Sequence, residues 1–129
     1  VEKRIPVSIS GPETTVVLAD LTAAPDMLVL DPDATTLAKT TLKLPTRVLV
    51  SILEDAHSVS RRIDAARSLV KNVDSSGLKA LTNALSSDSF WGVRARVAQA
   101  LGRIGGQAVE SALAAALEQE THPKARRGI

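Results

Sequence analysis

Arginine recurs at a fixed interval in the second half of this chain, and that interval constrains the fold more than any other feature. Arg62, Arg94 and Arg126 are spaced 32 residues apart; the first two are followed, at equal offsets, by Ala66 and Ala98, then by Leu69 and Leu101. A period of a few tens of residues marks a helical hairpin repeated in tandem. No such hairpin can bury its apolar stripe alone, so each stacks on its neighbours. The expected product over residues 45–129 is an α-solenoid of about three helix pairs.

The local pattern agrees with a helical period from Pro45 onward. Val48, Leu49, Ile52 and Leu53 share one face, and Val59, Ile63, Ala66, Val70 and Val73 the next. Leu78, Leu81 and Leu85 mark a third helix, with Ser75 or Ser76 as its expected cap. Phe90, Val93, Val97, Leu101 and Ile104 mark a fourth, with Asp88 as expected N-cap and Gly105-Gly106 closing it. Val109, Leu113, Ala116 and Leu117 form a fifth, and Thr121-His122-Pro123 opens a sixth.

Residues 1–44 have a different texture. Ile5, Val7 and Ile9 alternate with polar residues, Gly11-Pro12 is a turn signal, and Thr14 to Ala19 is rich in β-branched residues. Met27 to Leu30 is a short apolar run ending in Asp31-Pro32-Asp33, and Thr36 to Leu44 alternates less cleanly. Four short strands predict a partial antiparallel β-sandwich ahead of the helices, with its remaining strands expected upstream. Charge divides at the same place: residues 1–44 carry four Lys/Arg against six Asp/Glu, and residues 45–129 carry twelve against eight. The expected fold class is therefore mostly α with an N-terminal β part.

Composition narrows the chemistry. With one Phe, one Trp and no Tyr, the core falls to Leu, Val, Ile and Ala, which suits helices in close approach. The absence of Cys removes disulfides, thiolate metal sites and cysteine nucleophiles, and fits a reducing cytoplasmic setting. No apolar run reaches the ~18 residues of a membrane-spanning helix, and the start at Val1 lacks a signal-peptide pattern. The lack of an initiating Met leads to the expectation of a processed product or an excised fragment, the fragment being favoured by the resemblance given below.

Catalytic constellations do not emerge. His57 and His122 both fall between helices, and neither has a histidine four residues on, so no H-E-x-x-H zinc helix is present. Serine is plentiful, but no G-x-S-x-G elbow supports a nucleophile. Gly102 to Gly106 ends a helix, where a phosphate loop would begin one. Asp31 with Asp33, and Glu118 with Glu120, lack a setting that would split two carboxyl pKa values. No catalytic, cofactor-binding or metal residue is therefore assigned. The candidate interaction surface is Trp91, Arg94, Arg96, Arg103, Arg126 and Arg127, with Lys124 beside them. The recurrent arginines also suit a structural role, bridging backbone acceptors between helices. The scarcity of aromatic stacking platforms argues against single-stranded nucleic acid.

One stretch resembles a known family. Asp88, Phe90-Trp91-Gly92-Val93-Arg94, Ala98 and Leu101-Gly102 are similar to the C-terminal HEAT-type region of bacterial aminopeptidase-N-like zinc metallopeptidases. Ile5-Pro6-Val7, Leu28 to Pro32 and Leu37 to Leu42 resemble the small β-sandwich that precedes those helices, although Ala34-Thr35 stands where the family has Gly-Trp. The same architecture resembles an inactive subunit of the TBP-containing general transcription factor. The resemblance implies a non-catalytic packing and substrate-access region, with zinc and H-E-x-x-H confined to an upstream catalytic domain that would also be its main partner. A stand-alone HEAT-type protein-interaction module is the alternative, with another protein as partner and neither nucleic acid nor membrane.

Overall fold

The structure, a computed structural model, describes residues 4–18, 22–23, 29–31 and 43–129. Six α-helices follow one another from Thr46: α1 (Thr46–Asp55), α2 (Val59–Leu69), α3 (Ser75–Ser87), α4 (Trp91–Ile104), α5 (Gln107–Gln119) and α6 (Pro123–Arg126). A 3₁₀ turn, Val70–Asn72, tightens the exit from α2.

Local chemistry sets the ends of these helices. The carboxylate of Asp74 accepts from the Gly77 amide at 2.8 Å and caps α3, the role expected of Ser75 or Ser76. A carboxylate is the better acceptor, and hydrogen bonds from Ser76 and Gly77 hold Asp74 below the ordinary aspartate pKa. Asp88 does not occupy the N-cap of α4. Phe90 stands there, and Asp88 accepts from the Phe90 amide at 2.8 Å. Gly105, at φ 69°, stops α4 in left-handed backbone that a side chain would resist. Pro123 occupies the first turn of α6, where its missing N–H costs nothing.

Helices α1 with α2 and α3 with α4 pair as hairpins; α5 packs on α3 and α4, and α6 packs on α4, so the helices stack in two layers. Helices α1, α3 and α5 form the first layer; α2, α4 and α6 form the second. The core follows the same 32-residue period as the arginines. Val48, Ala80 and Ala112 share one position of the first layer; Leu49, Leu81 and Leu113 the next; Ile52, Ala84 and Ala116 a third; and Leu53 and Leu85 a fourth, whose counterpart Leu117 is exposed. In the second layer Ala66 and Ala98, then Leu69 and Leu101, are buried together. Each fully buried Leu contributes roughly 1.5–3 kcal/mol, and the interleaved alanines let the helix backbones approach closely.

The expected N-terminal sandwich is not seen: among the described residues there is no strand. Residues 4–18 run without regular structure, and the face formed by Ile5, Val7 and Ile9 lies open, Ile9 at 69 % exposure. Around Gly11 the Thr14 hydroxyl donates to the Ser10 carbonyl at 2.9 Å and accepts from the Ser10 amide at 3.2 Å, closing a local loop rather than a hairpin ladder. Alternation marks a face but cannot supply the neighbouring strand that satisfies backbone N–H and C=O groups. Most of the runs Met27–Leu30 and Thr36–Leu44 lies outside the described residues. The segment 29–31 is tied to the helices by Arg61, whose Nη2 donates to the carbonyls of Leu30 and Asp31 at 3.0 and 2.8 Å.

Candidate functional site

The periodic arginines form a ladder through the seams between hairpins. Arg62 donates from Nε and Nη2 to the two oxygens of Asp88 at 2.8 and 3.1 Å, and from Nη1 to the carbonyl of Ala56 at 2.8 Å. Arg94 repeats this one period on. Its Nε and Nη2 donate to Glu120 at 2.6 and 2.8 Å, and its Nη1 to the carbonyl of Asp88 at 2.7 Å. Arg126 makes the equivalent backbone contact, Nη1 to the Glu120 carbonyl at 2.8 Å, and adds the Leu117 carbonyl at 2.7 Å. Arg62 and Arg94 thus reach six residues back within their own hairpins and 26 residues forward into the next, whereas Arg126 makes only the backward contacts among the described residues.

The acceptors do double duty. The Asp88 carboxylate also takes the Phe90 amide, and the Glu120 carboxylate takes the His122 amide at 2.8 Å, so each also fastens the turn into its second helix. Side-chain exposure is 11 % and 6 % for the first pair, 17 % and 4 % for the second. Bidentate, charge-assisted bonds of this kind are strong and specific in direction. They hold Glu120 down at a pKa of about 2, the Arg94 hydrogen bond being the largest cause, and raise that of Arg94 in return. Two clefts, of about 410 and 220 Å³, open on these seams, and their polar walls include the ladder groups already bonded to one another.

Trp91 is half-buried at the start of α4. Its ring stacks on His122 with centroids 4.7 Å apart and planes 1° from parallel; Lys124 Nζ lies 5.4 Å from its centroid, and the Phe90 ring lies tilted at 42° with centroids 5.4 Å apart. Trp91 therefore bridges the second and third hairpins.

A family model of HEAT repeats matches residues 46–129. The chain belongs to the HEAT-repeat family. No characterised protein and no solved structure matches it significantly. The aminopeptidase-N resemblance therefore finds no support beyond the HEAT-type helices themselves.

Within this HEAT array the sequence-selected residues separate into two groups. Arg94 is held inside the ladder and is structural; Arg126 anchors the last rung but is exposed. Arg96, Arg103 and Arg127 are exposed on the second layer. The α4 residues 92, 96, 99 and 103 share one outer stripe, whose counterparts 32 residues earlier are Ser60, Asp64, Arg67 and Lys71. Lys124 continues the stripe on α6. Arg67, Lys71, Arg96, Arg103 and Lys124 thus make the second layer basic, with Asp64 bonded to Arg67 at 3.4 Å. The first layer exposes charges of both signs, Glu54, Asp55, Glu110 and Glu118 beside Arg47 and Lys79. Arg67 and Lys71 escaped the sequence reading, although the 32-residue offset from Gln99 and Arg103 would have found them. Among the described residues no cluster of potential metal ligands occurs, and no helix is long and apolar enough to cross a membrane.

Proposed function

We propose that this HEAT array is a protein-interaction module that takes an acidic protein segment along the outer face of its second-helix layer. The observation carrying this reading is the recurrence of exposed cations, Arg67 and Lys71, then Arg96 and Arg103, then Lys124, at one helical stripe of successive hairpins. A solenoid offers such a stripe as an extended surface, and like charges in line attract and align an acidic partner. Trp91, half-buried beneath Lys124, supplies an apolar anchor beside the charges. Packing against a zinc-bearing catalytic domain, as in the aminopeptidase-like proteins, is a narrower form of this reading that rests on the Phe90–Arg94 resemblance alone.

The test is fluorescence anisotropy with a labelled oligoglutamate peptide, an oligolysine control and a single-stranded oligonucleotide. The wild-type chain should bind the acidic peptide with an affinity that falls as salt rises. The double substitution Arg96→Glu and Arg103→Glu should abolish binding while leaving the helical circular dichroism intact. Preference for the oligonucleotide, or equal binding by the reversed variant, would overturn the proposal.

A further inference from the structure

Phe90, the only Phe of the chain, is explained neither by the core nor by the helix it opens. It stands at the N-cap of α4, where Ser, Asp or Asn would accept a backbone N–H, and its side chain makes no cap bond. The equivalent positions one hairpin earlier and later hold Ser58 and His122. Nor is it buried, since 39 % of it is exposed. Its ring lies instead over the backbone of Gly92, where an added Cβ would come within 2.5 Å of Cε1 and 3.1 Å of Cδ1. Position 92 heads the outer stripe of α4, so the ring fills the place at which Ser60 and Lys124 present polar side chains. Lys124 stands beside it across the seam: its Nζ and the Phe90 ring each lie 5.4 Å from the Trp91 centroid.

On α4 the stripe therefore runs from an aromatic face to Arg96 and then Arg103. At the helical rise these cations stand about 6 and 17 Å beyond Gly92. Charge alone gives such a face a poor register. Because the cations recur with the hairpins, as Lys71 and Arg103 do, an acidic segment can shift by one hairpin and meet similar charges. The exposed aromatic face occurs once. We infer that Phe90 sets the register, and that the segment bound carries one large apolar side chain, seated on the Phe90 ring, just outside its acidic run. An extended segment advances about 3.3 Å per residue, so its carboxylates meet Arg96 and Arg103 about two and five residues beyond the apolar one. The inference rests on the acidic-segment reading above and adds to it the chemistry of the partner's end.

Fluorescence anisotropy tests it with labelled oligoglutamate, plain or carrying one Phe, joined through one Gly to the amino or the carboxyl end. Oligolysine with the same Phe is the control. The wild type should bind the better Phe-bearing peptide about fivefold more tightly than plain oligoglutamate, as an added aromatic pair allows. Salt screens charges and not apolar contact, so this ratio should hold while both affinities fall with rising salt. In Phe90→Ala the ratio should drop to near one. Gly92→Ala keeps the Phe but displaces its ring, and it places a better helix former inside α4. That variant should lose the ratio with its helical circular dichroism intact. A wild-type ratio below about twofold, an undiminished ratio in either variant, or an equal gain on oligolysine would overturn the inference and leave the acidic-segment reading standing. Failure of every oligoglutamate peptide to bind would overturn both.

Discussion

The ladder makes its sharpest quantitative claim at Arg94 and Glu120. Replacing Glu120 by Ala removes two charge-assisted bonds to Arg94 and the acceptor for the His122 amide. Breaking a buried ion pair from one side costs about 3–5 kcal/mol, because the surviving charge stays desolvated. Here Arg94 keeps 17 % of its side-chain exposure, retains the Asp88 carbonyl and still feels the Asp88 charge. Water and those groups recover part of the loss, leaving an expected cost of about 2–3 kcal/mol. For a domain this small that lowers the Tm by roughly 10–20 °C. The assay is urea unfolding of the wild type, Arg94→Ala, Glu120→Ala and the double variant. It is followed both by helical circular dichroism and by the fluorescence of Trp91, the only Trp, whose ring rests on His122. The double variant should be less destabilised than the two single costs predict, with a coupling of about 1.5–3 kcal/mol. A Glu120→Ala cost within about 0.5 kcal/mol of zero, or additive single effects, would refute the claim that this pair fastens the third hairpin.

The same pair predicts a pH dependence. Glu120 has its pKa lowered from 4.5 to about 2, so its contribution is fully present above 4.5 and is lost as pH falls through that window toward 2. The urea midpoint of the wild type should fall across this range more steeply than that of Glu120→Gln, and the two should converge at its acid end. The periodic core makes a paired prediction. Leu85→Ala should cost about 2–5 kcal/mol, whereas Leu117→Ala, at the equivalent but exposed position, should cost less than about 1 kcal/mol. Equal costs in thermal melts would contradict the difference in burial between the two leucines.

Apolar spacing made the helices legible. Val48, Leu49, Ile52 and Leu53 face the core because only one side of a 3.6-residue helix can be dry, and that holds without knowledge of the neighbour. The fifth helix reads less well. Val109 and Ala116 are buried, but Leu117 is not, since burial there needs a further hairpin. The N-terminal alternation has no matching strand among the described residues, for a related reason. Ile5, Val7 and Ile9 define a sheet face, but a strand exists only where another strand accepts its backbone, and no local pattern encodes that partner.

The arginine interval shows the same division within one feature. By itself the sequence determined that residues 62, 94 and 126 stand at equivalent places in successive hairpins, because a regular period in sequence becomes a regular position in a stack. It determined equally the small-residue core and the absence of cysteine chemistry. Only the tertiary structure decided that Asp88 and Glu120 receive the arginine forks, that Arg94 is thereby withdrawn from the surface, and that Arg126 bonds the Leu117 and Glu120 carbonyls instead. Those roles depend on which hairpin lies across the seam, and a side chain's partners 26 residues away are set by stacking geometry rather than by local preference.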